Sequence, residues 1–339
     1  MLRIKENISL KPFNTFGVNV KASYFTQIKT EKEILEILDS KRFGKMNKLV
    51  LGGGSNILFT KNFDGLVIHF SGKGINVIEE TEEFVLVEAS AGEIWNELVS
   101  FCVDKRFYGI ENLSLIPGQV GAAPIQNIGA YGVELKDVFE SLTAILFETG
   151  QELVLTKPAC KFSYRDSIFK NELKGKALIT KVVLKLSKEK KFILSYRDLN
   201  NYLGKANLEK LTIKRVRETV NKIRTRKLPD PQKFGNAGSF FKNPEVSEKK
   251  FTDLKNQFEE MVFFKTDDGK YKLPAAFLIE KCGFKGKRIG NVATYNRQAL
   301  IIINLGKATG EQLKSYSAEV QKAVYNKFGI KLIPEVNII

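Results

Sequence analysis

GIENLSLIPGQVGAAPIQNIGAYGVE, residues 109–134, is the stretch that decides how this chain is read. Gly118, Gly121, Gly129 and Gly132 are interleaved with Pro117, Pro124, Ala122, Ala123 and Ala130, and Gln126 and Asn127 add polar amides. Neither a 3.6-residue nor a two-residue period runs through it, so no amphipathic helix or half-buried strand is expected there. A long segment of small residues inside a compact domain is either functional or disordered. Leu113, Leu115, Ile116, Ile125 and Ile128 argue against disorder, which goes with sparse apolar content. Backbone packed flat against a large planar ligand accounts for the composition.

A second glycine cluster, Gly52-Gly53-Gly54-Ser55-Asn56, follows Leu49-Val50-Leu51, which reads as a short buried strand. Three glycines permit positive φ and close approach of a ligand, and successive amides can nest phosphate oxygens. Ile57 stands where G-x-G-x-x-G needs its third glycine, and no Gly-Lys pair is followed by Ser or Thr. The Rossmann fingerprint and the Walker loop are thereby excluded. A phosphate loop of another kind and a plain tight turn both remain open.

Composition narrows the class. A chain of 339 residues accommodates two or three domains, and 43% hydrophobic with 27% charged residues is ordinary for a soluble globular protein. Arg3, Lys5 and Glu6 interrupt any secretory h-region. Apolar runs such as 299–303 are too short to span a bilayer. Cys102, Cys160 and Cys282 are odd in number and lack a C-x-x-C pair, which argues against disulfides or structural zinc and for a reducing compartment. The net charge of +16 suits polyanions, whether nucleic acid or nucleotide-bearing small molecules, and equally suits scattered solvated lysines. His69 is the only histidine and lies in a strand-like run at 66–70, where a structural role is expected. Histidine-based nucleophile activation and multi-histidine metal sites therefore drop out, and no metal is expected.

Thr30 and Glu33 form a capping box ahead of a helix carrying Ile34, Leu35, Ile37 and Leu38. Strands are expected at 66–70, 84–89, 142–147 and 178–186, the last with Leu178, Thr180, Val182, Leu184 and Leu186 on one side. Trp95, Leu98, Val99 and Cys102 mark a helix face. A basic helix over 212–224 turns Ile213, Val216, Val220 and Ile223 inward, and Leu228-Pro229-Asp230-Pro231 breaks it at a domain boundary. Beyond it come helices from about 247, over 274–282 and over 310–328, and strands at 300–303 and 331–339. The class is mixed α+β.

Three further clusters could carry chemistry. In Ser163-Tyr164-Arg165-Asp166-Ser167, Arg165 is either an exposed ion-pair partner of Asp166 or a bidentate clamp for a carboxylate. In GNAGSFFKNP, residues 235–244, Ser239 has no histidine to make it a nucleophile, yet a hydroxyl is acid enough to protonate a carbanion. In Ile333-Pro334-Glu335-Val336, Glu335 is a carboxylate on a terminal strand. Each is structural more often than catalytic when taken singly.

Together with NTFGV at 14–18, YRDSIFK at 164–170 and KLPDP at 227–231, these segments resemble, in order and over nearly the whole chain, the UDP-N-acetylenolpyruvoylglucosamine reductases, the MurB family. The resemblance implies an α+β protein with a two-subdomain FAD-binding fold of the vanillyl-alcohol-oxidase (PCMH) type and a C-terminal α+β substrate domain. The implied boundaries are 1–70, joined by the strand 331–339, then 71–226, then 227–330. It implies an FAD-dependent oxidoreductase of peptidoglycan precursor synthesis, with NADPH as hydride donor and a UDP-sugar as substrate. The expected protein is a cytoplasmic monomer without nucleic-acid or membrane partners.

Residue by residue, the resemblance assigns catalysis to Arg165, Ser239 and Glu335. Cofactor binding falls to Gly52, Gly53, Gly54, Ser55, Asn56, Gly118, Gly121, Ala122, Ala123, Asn127, Gly129, Tyr131 and Arg224. Lys227 and Asn243 would hold the UDP diphosphate and sugar, Tyr196 would be the mobile tyrosine of the type I members, and Gln298 would lie near the substrate carboxylate. The flavin is expected to be non-covalent, since neither glycine loop carries His or Cys. Two departures are visible: Ala122 and Ala123 replace serines of many members, and Asn337 stands where some have arginine. The rivals are a flavin oxidase of the same fold and a nucleic-acid binder using the 205–227 helix. That helix lacks the interleaved aromatics that stacking on bases requires.

Overall fold

Antiparallel pairing organises the longer part of the chain, for which a computed structural model describes residues 2–266 and 268–339. Two compact units result: Met1–Ile8, Ala22–Gly53 and Asp64–Arg226 form one, and Ser9–Lys21, Gly54–Phe63 and Lys227–Ile339 the other.

The first unit holds a five-stranded antiparallel sheet in the spatial order Glu152–Thr156, Phe139–Leu146, Ala177–Ser187, Phe84–Ser90, Ile75–Glu80. Its central strand shows the expected two-residue period, with Leu178, Thr180, Val182, Leu184 and Leu186 all buried. The register Val182↔Ala89, Leu184↔Val87 and Leu186↔Val85 sets one apolar row against another. The Thr180 hydroxyl is satisfied by donating to Glu31 Oε1 at 2.9 Å. Helix Trp95–Asp104 buries Trp95, Leu98, Val99, Cys102 and Val103 in the same core. Each such side chain contributes about 1.5–3 kcal/mol on leaving water. The Trp95 indole donates to the Leu113 carbonyl at 2.9 Å, which fixes the start of the 109–134 stretch over this core.

A four-stranded sheet of Ile4–Ser9, Lys21–Ile28, Phe63–Phe70 and Lys48–Val50 carries helix Glu31–Asp39, started by the Thr30–Glu33 capping box. The strand expected to be buried at 49–51 is an edge strand instead. Val50 is 37% exposed, and only Leu51, just past its end, is buried. Helix Ile213–Lys227 buries Ile213, Val216, Val220 and Ile223 and stops just before Leu228-Pro229, where proline lacks an N–H and disfavours helical backbone at the residue before it. Val216, Val220 and Ile223 pack with Leu199 and Leu203 of helix Arg197–Leu203, which sequence periodicity did not reveal.

In the second unit, helices Glu248–Gln257, Ala275–Lys281 and Gly310–Phe328 accompany two three-stranded sheets. Thr309 and Gln312 box the start of the last helix, and Gly329, at φ 64°, ends it in the left-handed region. The continuous strand expected over 331–339 is not formed. Only Asn337–Ile338 is a strand, parallel to Ile57–Leu58, while Pro334 bridges to Phe241. Pro334 lacks an N–H and cannot extend the ladder.

Candidate active site

In the first unit the two glycine clusters meet. A Cβ on Gly53 would stand 3.0 Å from Gly118 Cα, so close that one loop would have to give by a few tenths of an ångström to admit it. Gly118 accepts from the Trp95 amide at 3.0 Å, and the Val120 and Gly121 amides donate to Glu93 and Ala91 carbonyls at 2.9 Å each. The 118–121 backbone is thus held against the turn leading into the Trp95 helix. The rest of the stretch is tiled by the 3-10 turns Val120–Ala122 and Pro124–Gln126, the local order its composition did not disclose. Amides of Ala122 and Ala123 donate within these turns, to Gln119 and Val120 at 3.0 Å.

Gly129–Ala130 pairs with Val133–Glu134 through a tight hairpin, with Tyr131 and Gly132 at φ 50° and 87°. Positive φ at both tip positions is what a two-residue hairpin turn demands. The Arg224 guanidinium, on helix Ile213–Lys227, donates to the Tyr131 phenol. Burial pushes that phenol up to about 12, against the pull of the Arg224 charge. Burial likewise draws Arg224 below the ordinary guanidinium value, and Tyr131 opposes this. The rings of Tyr131 and Tyr196 meet edge-on at 5.3 Å. Beneath them, buried Asn112 donates through Nδ2 to the Tyr131 carbonyl at 2.9 Å and the Ile193 carbonyl at 2.8 Å. Arg224 Nε and Asn112 Oδ1 are buried without a hydrogen-bond partner.

Arg165 crowns a two-residue turn closed by reciprocal Ser163–Asp166 backbone bonds of 3.2 Å, and its own φ is 55°. Its guanidinium donates to the Gly129 carbonyl at 2.7 Å and the Asn127 carbonyl at 3.4 Å, and lies 3.9 Å from Glu134 Oε1. The neighbouring Asp166 accepts from the Ser167 amide and from Asn171 Nδ2 at 2.9 and 3.1 Å. Arg165 is therefore turned towards the Gly129 hairpin and built into the first unit's site, with its side chain only 18% exposed. Asn112 and Glu134 went unnoticed in the sequence, although both stand within the 109–134 stretch.

The second unit holds the remaining expected site residues. NTFGV acts as its clasp. Asn14 closes its own loop with bonds to Leu10 and Val18, and Thr15 Oγ1 donates to Gly54 and Asn236 carbonyls at 3.3 and 2.5 Å. Asn304 Nδ2 donates to the Phe16 carbonyl at 2.8 Å. Ser239 is exposed, between Gly238 at φ 70° and the fully buried Phe240. The Glu335 amide donates to the Phe240 carbonyl at 2.8 Å and the Lys242 amide to Ile333 at 2.9 Å, so the segments carrying Ser239 and Glu335 run side by side. Asn56 Nδ2 donates to the Glu335 carbonyl at 3.3 Å, and Asn337 returns two bonds to the Asn56 carbonyl, from N at 3.1 Å and Nδ2 at 3.0 Å. Asn337 thus has a task within the protein, anchoring the GGGSN loop to the Glu335 segment. Ser55, Lys227 and Gln298 are partly buried, Gln298 accepting from the Leu300 amide at 3.4 Å. Asn243 accepts from the Ala275 amide at 3.0 Å, at the start of helix Ala275–Lys281. His69 stays in the first unit, its Nδ1 2.8 Å from the Leu51 carbonyl, a structural contact.

Among the described residues no helix is long and apolar enough to cross a membrane. Two family models match: "FAD binding domain" over residues 22–156 and "UDP-N-acetylenolpyruvoylglucosamine reductase, C-terminal domain" over 230–339. A curated UDP-N-acetylenolpyruvoylglucosamine reductase from Flavobacterium johnsoniae is 47% identical over 339 residues, the whole of both chains. Its counterpart from Pseudomonas aeruginosa is 42% identical over 337 residues, 99% of each chain. The solved structure of the enzyme of that name from Thermus caldophilus covers 100% of this chain and 99% of its own, with a TM-score of 0.67 at 24% identity, and shows the same fold.

Proposed function

The chain belongs to the UDP-N-acetylenolpyruvoylglucosamine reductase family, and from that membership we propose how its own residues carry out the family's reaction. It is an FAD-dependent oxidoreductase that uses NADPH to reduce UDP-N-acetylglucosamine enolpyruvate to UDP-N-acetylmuramate in peptidoglycan precursor synthesis. The residues present fit the cofactor. Gly53 and Gly118 pack backbone on backbone, and the orphaned Arg224 Nε and Asn112 Oδ1 lie around the Tyr131 turn, as a large polar planar ligand requires. Gly52, Gly53, Gly54, Ser55 and Asn56 would hold its pyrophosphate. Gly118, Gly121, Ala122, Ala123, Asn127, Gly129, Tyr131 and Arg224 would line its ring system. When bound, FAD supplies the hydride relay from NADPH to the terminal vinyl carbon of the enolpyruvyl ether.

The rest falls to the chain. Hydride addition leaves negative charge on the neighbouring carbon and its carboxylate. Arg165 meets that carboxylate with a preorganised cation, and Glu335 stabilises the doubly charged aci-carboxylate as a hydrogen-bond donor, which requires it to hold its proton at that stage. Ser239 donates the proton that completes the reduction. Lys227 and Asn243 hold the UDP moiety, Tyr196 covers it, and Gln298 lies near the carboxylate. On this reading 1–70 with 331–339, and 71–226, serve the flavin, and 227–330 the sugar nucleotide. The parallel pair Ile57–Leu58 and Asn337–Ile338 supports the joining of 331–339 to the first segment. The enzyme is taken to be a cytoplasmic monomer with no nucleic-acid or membrane partner.

The observation that carries the proton-donor assignment is the Glu335–Phe240 backbone bond of 2.8 Å, which sets Ser239 beside Glu335. Ser239→Ala is expected to leave anaerobic bleaching of the flavin by NADPH intact. Recovery of colour on adding the enolpyruvyl sugar should slow by roughly 10²–10⁴-fold, the usual worth of a general acid. Normal recovery in that variant would remove Ser239 from the mechanism.

A further inference from the structure

Arg165 is held from several directions at once. Its positive φ of 55° fixes where the side chain leaves the backbone. Carbonyls of Gly129 and Asn127 take its η nitrogens at 2.7 and 3.4 Å. The third constraint is Glu134, whose Oε1 lies 3.9 Å from Nη1, with side-chain exposures of 18% for Arg165 and 23% for Glu134. Glu134 in turn is fixed by its other oxygen, which accepts from Asn127 Nδ2 at 3.0 Å and pairs with Lys136 Nζ at 3.2 Å. Asn127 is fully buried at φ 44°; it also donates to the Ser163 carbonyl at 3.0 Å and accepts from the Lys136 amide at 2.9 Å. One amide therefore joins the turn that carries Arg165, the carboxylate that faces it and the strand end that bears that carboxylate.

The bland alternative is a carboxylate that neutralises Lys136 and caps the short helix Leu135–Val138, with Asp137 completing the capping box. That alternative leaves the approach to Arg165 without a purpose. A charge-assisted guanidinium–carboxylate bond closes at about 2.7–2.9 Å, and one that tight would occupy the guanidinium and compete with an anionic ligand. At 3.9 Å, with its better contacts spent on Asn127 and Lys136, Glu134 orients the cation without consuming it.

We propose that Glu134 is a positioning residue for the reduction, setting through Asn127 and Arg165 the angle at which the guanidinium meets the substrate carboxylate. This rests on the role given to Arg165 above, and the test separates the two.

Holoenzyme carrying Glu134→Gln is reduced anaerobically with NADPH and then mixed with the enolpyruvyl sugar. Bleaching should stay within about twofold of the parent, and reoxidation should slow by about 10–100-fold, the scale of a misplaced reacting group. Glu134→Asp, which keeps the charge, should recover at least about threefold of that loss. In an Arg165→Lys background, Glu134→Gln should add less than about twofold, because the two act as one unit. Unaltered reoxidation in Glu134→Gln overturns the proposal. So do equal slowing of both half-reactions with lost flavin, no recovery in Glu134→Asp, or full additivity with Arg165→Lys, each the mark of a general structural role. A parent enzyme that NADPH does not bleach, or that the sugar does not reoxidise, would instead refute the functional reading itself.

Discussion

Gly54 is specified by backbone and neighbour together. Its φ is +62°, and a Cβ there would stand 2.0 Å from the Phe13 carbonyl oxygen and 2.8 Å from Asn14 Cα. Both obstacles are main chain, which cannot swing aside as a lysine tip would. Gly175 has nearly the same φ, +69°, but nothing within 4 Å. The pair separates conformational strain from collision. Gly175→Ala should cost about 1 kcal/mol, the penalty for an L-residue in the left-handed region. Gly54→Ala should cost at least about 3 kcal/mol, since the clasp around Thr15 must also move. Urea denaturation of the two variants measures both, and equal losses would show that φ alone matters. That the Gly-Gly-Gly run makes a turn, with or without a ligand on it, was legible in the sequence. The collision was not, because Phe13 and Asn14 come from some forty residues earlier and only the folded chain brings them there.

At the scale of elements, Asn112 links two segments that each carry an aromatic ring. Its amide bridges the carbonyl of Tyr131, at a hairpin tip, and that of Ile193, three residues before Tyr196. Asn112→Ala strands both carbonyls and should cost about 2 kcal/mol of stability. It should also loosen the Tyr196 segment, raising KM for the UDP-sugar by about 5–10-fold at near-constant kcat, because lost uniform binding appears in KM. A fall in Tm with unchanged KM would show that Tyr196 does not depend on this tie. Elements with a strong period were legible beforehand: the alternation from Leu178 to Leu186 and the Trp95, Leu98, Val99, Cys102 face emerge as expected. What failed to show were elements made by partners rather than by period. The 331–339 segment reads as a strand, yet Pro334 and the side-by-side run with Phe241 leave only Asn337–Ile338 in a ladder. Glu134 was passed over for the same reason: its significance lies in Asn127 and Arg165, and spacing along the chain does not disclose that contact.

Across the whole molecule, 54 lysines and arginines against 38 acidic residues leave a charge of +16. Local pairing does not absorb it usefully. Bridges such as Arg42–Glu6, with both side chains more than half exposed, are of the kind that contributes little to stability. The surplus is better understood as a long-range field, and the reaction calls for two anionic visitors, NADPH and a UDP-sugar. Such a field raises encounter rates and is screened over about 10 Å at 0.1 M salt. The second-order rate of flavin bleaching by NADPH should therefore fall by about 3–10-fold between roughly 0.02 and 0.2 M NaCl. The limiting rate at saturating NADPH should hold constant, because hydride transfer within the complex involves no encounter. Stopped-flow traces at several NADPH concentrations separate the two constants. If the second-order constant is flat with salt, the lysines are only solvated surface and the excess charge has no part in catalysis. If the limiting rate falls alongside it, salt is disturbing the site itself, and the buried guanidinium of Arg224 against Tyr131 is the first contact to examine.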